Sequence, residues 1–168
     1  MQIESFNTLS PSDAVAVLRD CCAALRWGQQ VTAGRPYATA DALLDAADRV
    51  WRTMHESDFL EAFDAHPKIG DPDSLKKKYA ATESLARNEQ QSVVLASDET
   101  IAALAALNER YQQQFGFIFI VCATGKSAEQ MLALIRERLP NDRETELINA
   151  AREQGAITAI RLRKLFAD

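Results

Sequence analysis

The chain has 168 residues, 47% of them hydrophobic and 26% charged, with a formal net charge of −5. That is enough apolar material for one compact core without disulfide staples. The acidic balance and lack of a basic stripe speak against a nucleic-acid partner, no run approaches the roughly 18 apolar residues of a membrane helix, and the opening MQIESFNTLSPSD has neither the basic start nor the apolar run of a secretory signal.

Three cysteines, two of them adjacent at Cys21 and Cys22 and the third at Cys122, point to a reduced, cytoplasmic chain. Six glycines and five prolines are too few to punctuate a strand-and-turn fold. Helical periodicity with caps recurs instead. Ser10 caps a first helix with Pro11 at its first position, and Leu18, Cys22 and Leu25 share one face, which makes Cys22 a core residue. Thr39 opens a second helix whose stripe is Leu43, Ala47, Val50 or Trp51, and Met54. Ser57 begins a short third, with Phe59, Leu60 and Phe63 inward.

Ala65 to Asp73 contains two prolines and a glycine, so it is an irregular loop, and it carries His66, one of only two histidines. A short helix through Leu75 and Tyr79 follows, then another from Ser84 to Leu95. Ser97 or Asp98 starts the next, with Ile101, Leu104, Leu107, Tyr111 and Phe115 inward. Phe115 to Cys122 reads locally as a buried strand with no second strand to pair with, so its backbone groups need helix ends, water or a ligand. Ser127 to Gln130 is a capping box, opening a helix with Met131, Leu132, Ile135 and Leu139 that stops at Pro140. Asn141 to Glu144 repeats the device, and a last helix or pair of helices runs to Leu165. The expectation is an all-α, single-domain bundle of seven or eight helices spanning residues 1–168, with one extended segment near 115–122.

Three residues stand out chemically. His66 is a loop histidine, and an imidazole, whose unperturbed pKa is about 6.5, can give and take protons near neutrality. Glu89 shares a helix face with Leu85 and Val93, which puts a carboxylate among apolar neighbours. Arg161 follows Ile157 and Ile160 on what reads as an inward stripe, where an arginine needs an anionic or carboxylate partner. His55 sits among polar neighbours at a helix end and reads as solvated. A zinc site would recruit more His or Cys than this chain offers, so no metal is expected. Two rival readings remain. One is a non-catalytic all-α dimeric interaction module; the other is a metal-dependent hydrolase built on His55, His66 and nearby acids.

The blocks His66-Pro67-Lys68-Ile69-Gly70-Asp71, Asn88-Glu89-Gln90, Phe115 to Ala123 and Ile157 to Leu162 together resemble the 2-oxo-4-hydroxy-4-carboxy-5-ureidoimidazoline (OHCU) decarboxylases of urate breakdown. Order, spacing and length agree over nearly the whole chain. The resemblance implies an all-α homodimer that takes a small-molecule substrate, OHCU, uses no cofactor and forms (S)-allantoin. It places His66 on the catalytic histidine, with Glu89 and Arg161 as the other catalytic groups. It places Pro67, Ala86, Arg87, Asn88 and Gln90 against substrate, together with the backbone of Ile118, Phe119, Ile120, Val121 and Cys122. Two positions depart from the pattern: Ala86 stands where the family commonly has serine, and Ile118 where it commonly has proline.

Overall fold

The computed structural model describes residues 1–66 and 97–167. These residues form eight helices and no strand, in agreement with the all-α expectation. In chain order they are α1 (Ile3–Thr8), α2 (Pro11–Arg19), α3 (Leu25–Ala33), α4 (Ala40–Trp51), α5 (Glu56–Asp64), α6 (Asp98–Phe115), α7 (Ala128–Arg138) and α8 (Arg143–Leu165). The two helices expected between residues 75 and 95 lie outside the described residues. Two compact units organise the chain, one comprising Met1–His66 and Asn149–Asp168, the other Pro67–Ile148.

In the first unit α2 opens as its sequence dictates. The Ser10 hydroxyl accepts the Asp13 amide at 3.2 Å, and Pro11 occupies the first turn, where its missing N–H costs nothing. The helix then stops at Arg19, so Leu18, Cys22 and Leu25 do not share one helical face. Both Cys21 and Cys22 turn their amides back to the Leu18 carbonyl, at 2.9 and 3.0 Å, and α3 begins afresh at Leu25. No local side chain caps α3. Its first amide is bonded by the Glu61 carboxylate of α5 at 3.1 Å, a partner 36 residues away that local pattern cannot reveal. Leu25 is 40% exposed, whereas Cys22 is fully buried, as expected of a core residue.

Helix α1, not foreseen from periodicity, is held by distant donors as well. Arg35 donates to the carbonyls of Phe6 and Leu9, at 2.7 and 2.9 Å, and stacks over the Phe6 ring. Helix α4 starts on Thr39, whose hydroxyl accepts the Ala42 amide, and buries Leu43, Ala47 and Trp51. The two buried indoles each find a carbonyl, Trp27 on Ala47 at 3.0 Å and Trp51 on Ala151 at 2.8 Å.

The last segment is a single helix, α8, opened by Asp142, whose carboxylate accepts the Thr145 amide at 2.7 Å. That bond draws the Asp142 carboxyl below its ordinary range. The inward line of α8 in this unit is Ala151, Gln154, Thr158 and Leu162. The expected stripe of Ile157, Ile160 and Arg161 is therefore displaced: Ile160 is 40% exposed and Arg161 is exposed. Close approach explains the shift, because a Cβ on Gly155 would come within 3.2 Å of the Trp51 ring, and only small or trimly bonded side chains fit that face.

In the second unit Ser97 caps α6 through the Thr100 amide, and Ser127 with Gln130 forms the capping box of α7. Met131, Leu132, Ile135 and Leu139 are all buried, as their spacing predicts. On α6 the inward set is Ile101, Leu104, Asn108, Tyr111 and Phe115, with Asn108 in the place expected for Leu107. Asn108 is tolerated there because its amide bonds the Leu104 carbonyl at 2.8 Å. Gly116 ends α6 with φ of +81°, a left-handed turn suited to glycine. The stretch after it is not a strand. Phe115, Phe117 and Phe119 instead surround Tyr111 at ring-centroid distances of 4.5, 6.0 and 5.2 Å. Edge-on aromatic packing thus anchors a segment that has no ladder.

Candidate active site

His66 stands immediately after the C-cap of α5. The turn there closes when its amide donates to the Phe63 carbonyl at 3.0 Å. Its ring is half-buried, and Nε2 lies 2.6 Å from Oε1 of Gln154 on α8. Gln154 is 1% exposed, and its amide nitrogen donates to the Thr158 hydroxyl at 3.2 Å. Arg161 is seven residues beyond Gln154. Two helical turns carry it about 10 Å along the axis on nearly the same face. Its guanidinium donates to the Cys21 carbonyl at 3.2 Å. The structure thus sets a histidine and an arginine along one polar stripe of α8. The glutamine and threonine between them escaped the sequence reading. Their signal was an i, i+4 polar pair two turns before Arg161, on a helix whose apolar residues had drawn attention to another face.

The segment 118–122 belongs to the other unit. Phe119 and Ile120 side chains are buried, while Ile118, Val121 and Cys122 are half-buried. Two of its carbonyls already serve the protein: Ile120 accepts from Arg138 at 2.8 Å and Cys122 from the Lys126 ammonium at 2.7 Å. Arg138 is itself part of a buried cluster. It pairs with Glu146 at 2.7 Å and donates to the Tyr111 hydroxyl at 3.1 Å, while Tyr111 donates to Glu146 and Asn141 donates to Glu146 at 2.7 Å. Burial pushes the Tyr111 phenol upward, with the Arg138 charge opposing, so it is a committed donor. Pro67, Ala86, Arg87, Asn88, Glu89 and Gln90 lie outside the described residues.

A cavity of about 660 Å³ runs between α4 and α8, floored by Trp51, Phe59 and Leu162 and edged by the Asp48–Arg52 ion pair. Neither His66, Arg161 nor any residue of 118–122 lines it. The hydrolase reading fits poorly, because His55 and His66 flank opposite ends of α5. Nine helical residues put them about 14 Å apart, too far to share one ion.

Cys21 and Cys22 are buried, and burial pushes both thiols up to about 11, against opposing pulls that include the Arg161 charge. Because the folded values lie above the unfolded value of 9.0, the stability these thiols contribute is complete below pH 9 and is lost as pH rises through about 11. Urea midpoints are therefore expected to fall between pH 9 and 11 more steeply in the wild type than in a Cys21→Ala/Cys22→Ala variant. Equal slopes would remove the thiols from that account.

Residues 7–163 match the family model described as OHCU decarboxylase. A relative from Arabidopsis thaliana, the uric acid degradation bifunctional protein TTL, is 34% identical over 88% of this chain and 46% of its own length. The uric acid degradation bifunctional protein of Bacillus sp. (strain TB-90) is 25% identical over 100% of this chain and 33% of its own length. This chain thus spans about half of the first relative and a third of the second. Among solved structures, one of OHCU decarboxylase in the presence of (S)-allantoin superposes with a TM-score of 0.72 at 34% identity, covering 89% of this chain and 96% of that one.

Proposed function

We propose that this chain, which belongs to the OHCU decarboxylase family, removes carbon dioxide from OHCU to give (S)-allantoin, the third step of urate breakdown. The observation that carries the reading is the histidine of the family block, His66, fixed at the end of α5 with its ring held by a buried glutamine. What supports reading residues 1–168 as one domain is that the matched span, 7–163, runs across both compact units.

The substrate supplies its own electron sink. As the bond from C4 to the carboxylate breaks, its pair forms a C4=C5 double bond. The adjacent C=N π pair moves onto the ring nitrogen, which takes up a proton. The enol then loses its hydroxyl proton as the C4 carbonyl forms, and C5 gains a proton on one face, which sets the S configuration. No cofactor or metal is needed for that balance. The protein's tasks are to orient, desolvate and move protons. In this reading His66 is the general acid/base at the C4 hydroxyl, and Arg161 offsets the carboxylate charge. Glu89 accepts from ureido or ring N–H groups. Pro67, Ala86, Arg87, Asn88 and Gln90, with the backbone of 118–122, line the substrate. Since Ile120 and Cys122 already have protein donors on their carbonyls, the amides of that segment are its better-suited groups.

The same reading makes the protein a cytoplasmic homodimer. Three cysteines with no disulfide among them suit a reducing compartment, and Ile148 and Ile160, 63% and 40% exposed on α8, suit a subunit contact. Among the described residues no helix is long and apolar enough to cross a membrane. The deciding experiment generates OHCU freshly from urate and follows allantoin by polarimetry. Accelerated formation of one enantiomer is expected. The uncatalysed rate with racemic product would return the chain to the class of interaction modules.

A further inference from the structure

We propose that Gln154 is a positioning residue that fixes the neutral tautomer of His66, an assignment that rests on the reading of His66 as the general acid/base. An amide buried to 1% exposure must have its groups bonded, and here both ends are committed. Its nitrogen donates to the Thr158 hydroxyl one turn on, which turns the carbonyl oxygen toward His66, 2.6 Å from Nε2. A carbonyl oxygen only accepts, so the imidazole presents Nε2–H to it. The basic lone pair of the neutral ring is then on Nδ1. Gln154 is uncharged, unlike the aspartate of a hydrolase triad, so its own bond selects the tautomer without adding a charge that favours the imidazolium. A base that must take a proton from a hydroxyl and later give one up is better served by that arrangement than by a ring held permanently cationic.

The test is nuclear magnetic resonance of ¹⁵N-histidine-labelled full-length protein, well above the ordinary histidine pKa of about 6.5. The chain has two histidines, so a His66→Asn spectrum identifies the His66 signal at once. The wild-type ring is expected to carry the Nε2–H signature. Gln154→Leu should lose that preference, with kcat for OHCU falling on the order of tenfold or more and KM changing by less than about twofold, the pattern of a wrong-tautomer base. Gln154→Glu, which keeps the acceptor, should retain Nε2–H. Should Gln154→Leu fail to fold, Thr158→Val serves instead, since it removes the hydroxyl that turns the amide and should yield mixed tautomers. An Nδ1–H ring in the wild type, or a folded Gln154→Leu with an unmoved tautomer or unchanged kcat, overturns the proposal. If His66→Asn keeps full turnover, the acid/base reading itself falls, and the catalytic half of this assignment with it. If His66→Asn is inactive while the wild-type ring carries Nδ1–H, the Gln154 assignment alone falls.

Discussion

Replacing His66 with asparagine is expected to lower the decarboxylation rate by about 10²- to 10⁴-fold, the range over which a positioned general acid/base acts. The fold should survive. The backbone bond to Phe63 is indifferent to the side chain, and the lost ring contact with Gln154 is worth about 1 kcal/mol. Against a stability of roughly 5–15 kcal/mol that loss does not unfold the protein, and it moves Tm by only about 2–4 °C. The activity change would therefore report chemistry rather than integrity. A second readout sharpens it: because uncatalysed decay of OHCU is not stereoselective, the variant's residual product should approach a racemate. Near-wild-type turnover with one enantiomer, from a variant of unchanged circular dichroism, would remove His66 from proton transfer.

The largest stability effect belongs to the buried cluster under the aromatic segment. Arg138→Met leaves Glu146, fully buried, without its guanidinium and the Ile120 carbonyl without its donor. Breaking one side of a buried pair costs about 3–5 kcal/mol, and the stranded carbonyl adds to the same loss rather than to a separate one. For a chain of this size that is a fall of roughly 10 °C in Tm. The doubly substituted Arg138→Met/Glu146→Gln should recover a good part of it, since the second change discharges the carboxylate that has lost the Arg138 guanidinium. Urea denaturation of the four proteins in the cycle measures the coupling. A single-variant loss under about 1 kcal/mol, or no recovery in the double variant, would mean that the cluster is solvated enough to dispense with the ion pair. Activity is expected to suffer too, because Arg138 and the rings around it fix the backbone of 118–122.

What could be read from sequence and what could not divides along a physical line. Ser10, Thr39, Ser97 and Ser127 each cap the helix they were expected to cap, because an N-cap is a bond across three residues. The apolar face of α7 was equally plain. Helices α1 and α3 were not, because their ends are satisfied by Arg35 and Glu61 from distant parts of the chain. The face of α8 was misjudged for a related reason. Periodicity counts apolar residues, yet the inward line there is built from alanine, glutamine and threonine against Trp51, while isoleucines point out. At the site, His66 was legible from its loop and family block, but its partner Gln154 was not, since a buried bonded glutamine looks in sequence like any surface one.

Both tryptophans, Trp27 and Trp51, lie in the unit formed by Met1–His66 and Asn149–Asp168, each buried with its indole tied to a carbonyl, whereas Tyr111 lies in the other unit. Emission excited at a wavelength that only indole absorbs therefore watches one half of the molecule. With Tyr37, the phenol of the first unit, replaced by phenylalanine, the near-ultraviolet tyrosine signal, to which Tyr111 bonded to Glu146 contributes, watches the other. Together the two signals make a two-channel optical readout. Superimposable denaturation curves in the two channels would mark a single cooperative transition, and separated curves would show which half lets go first.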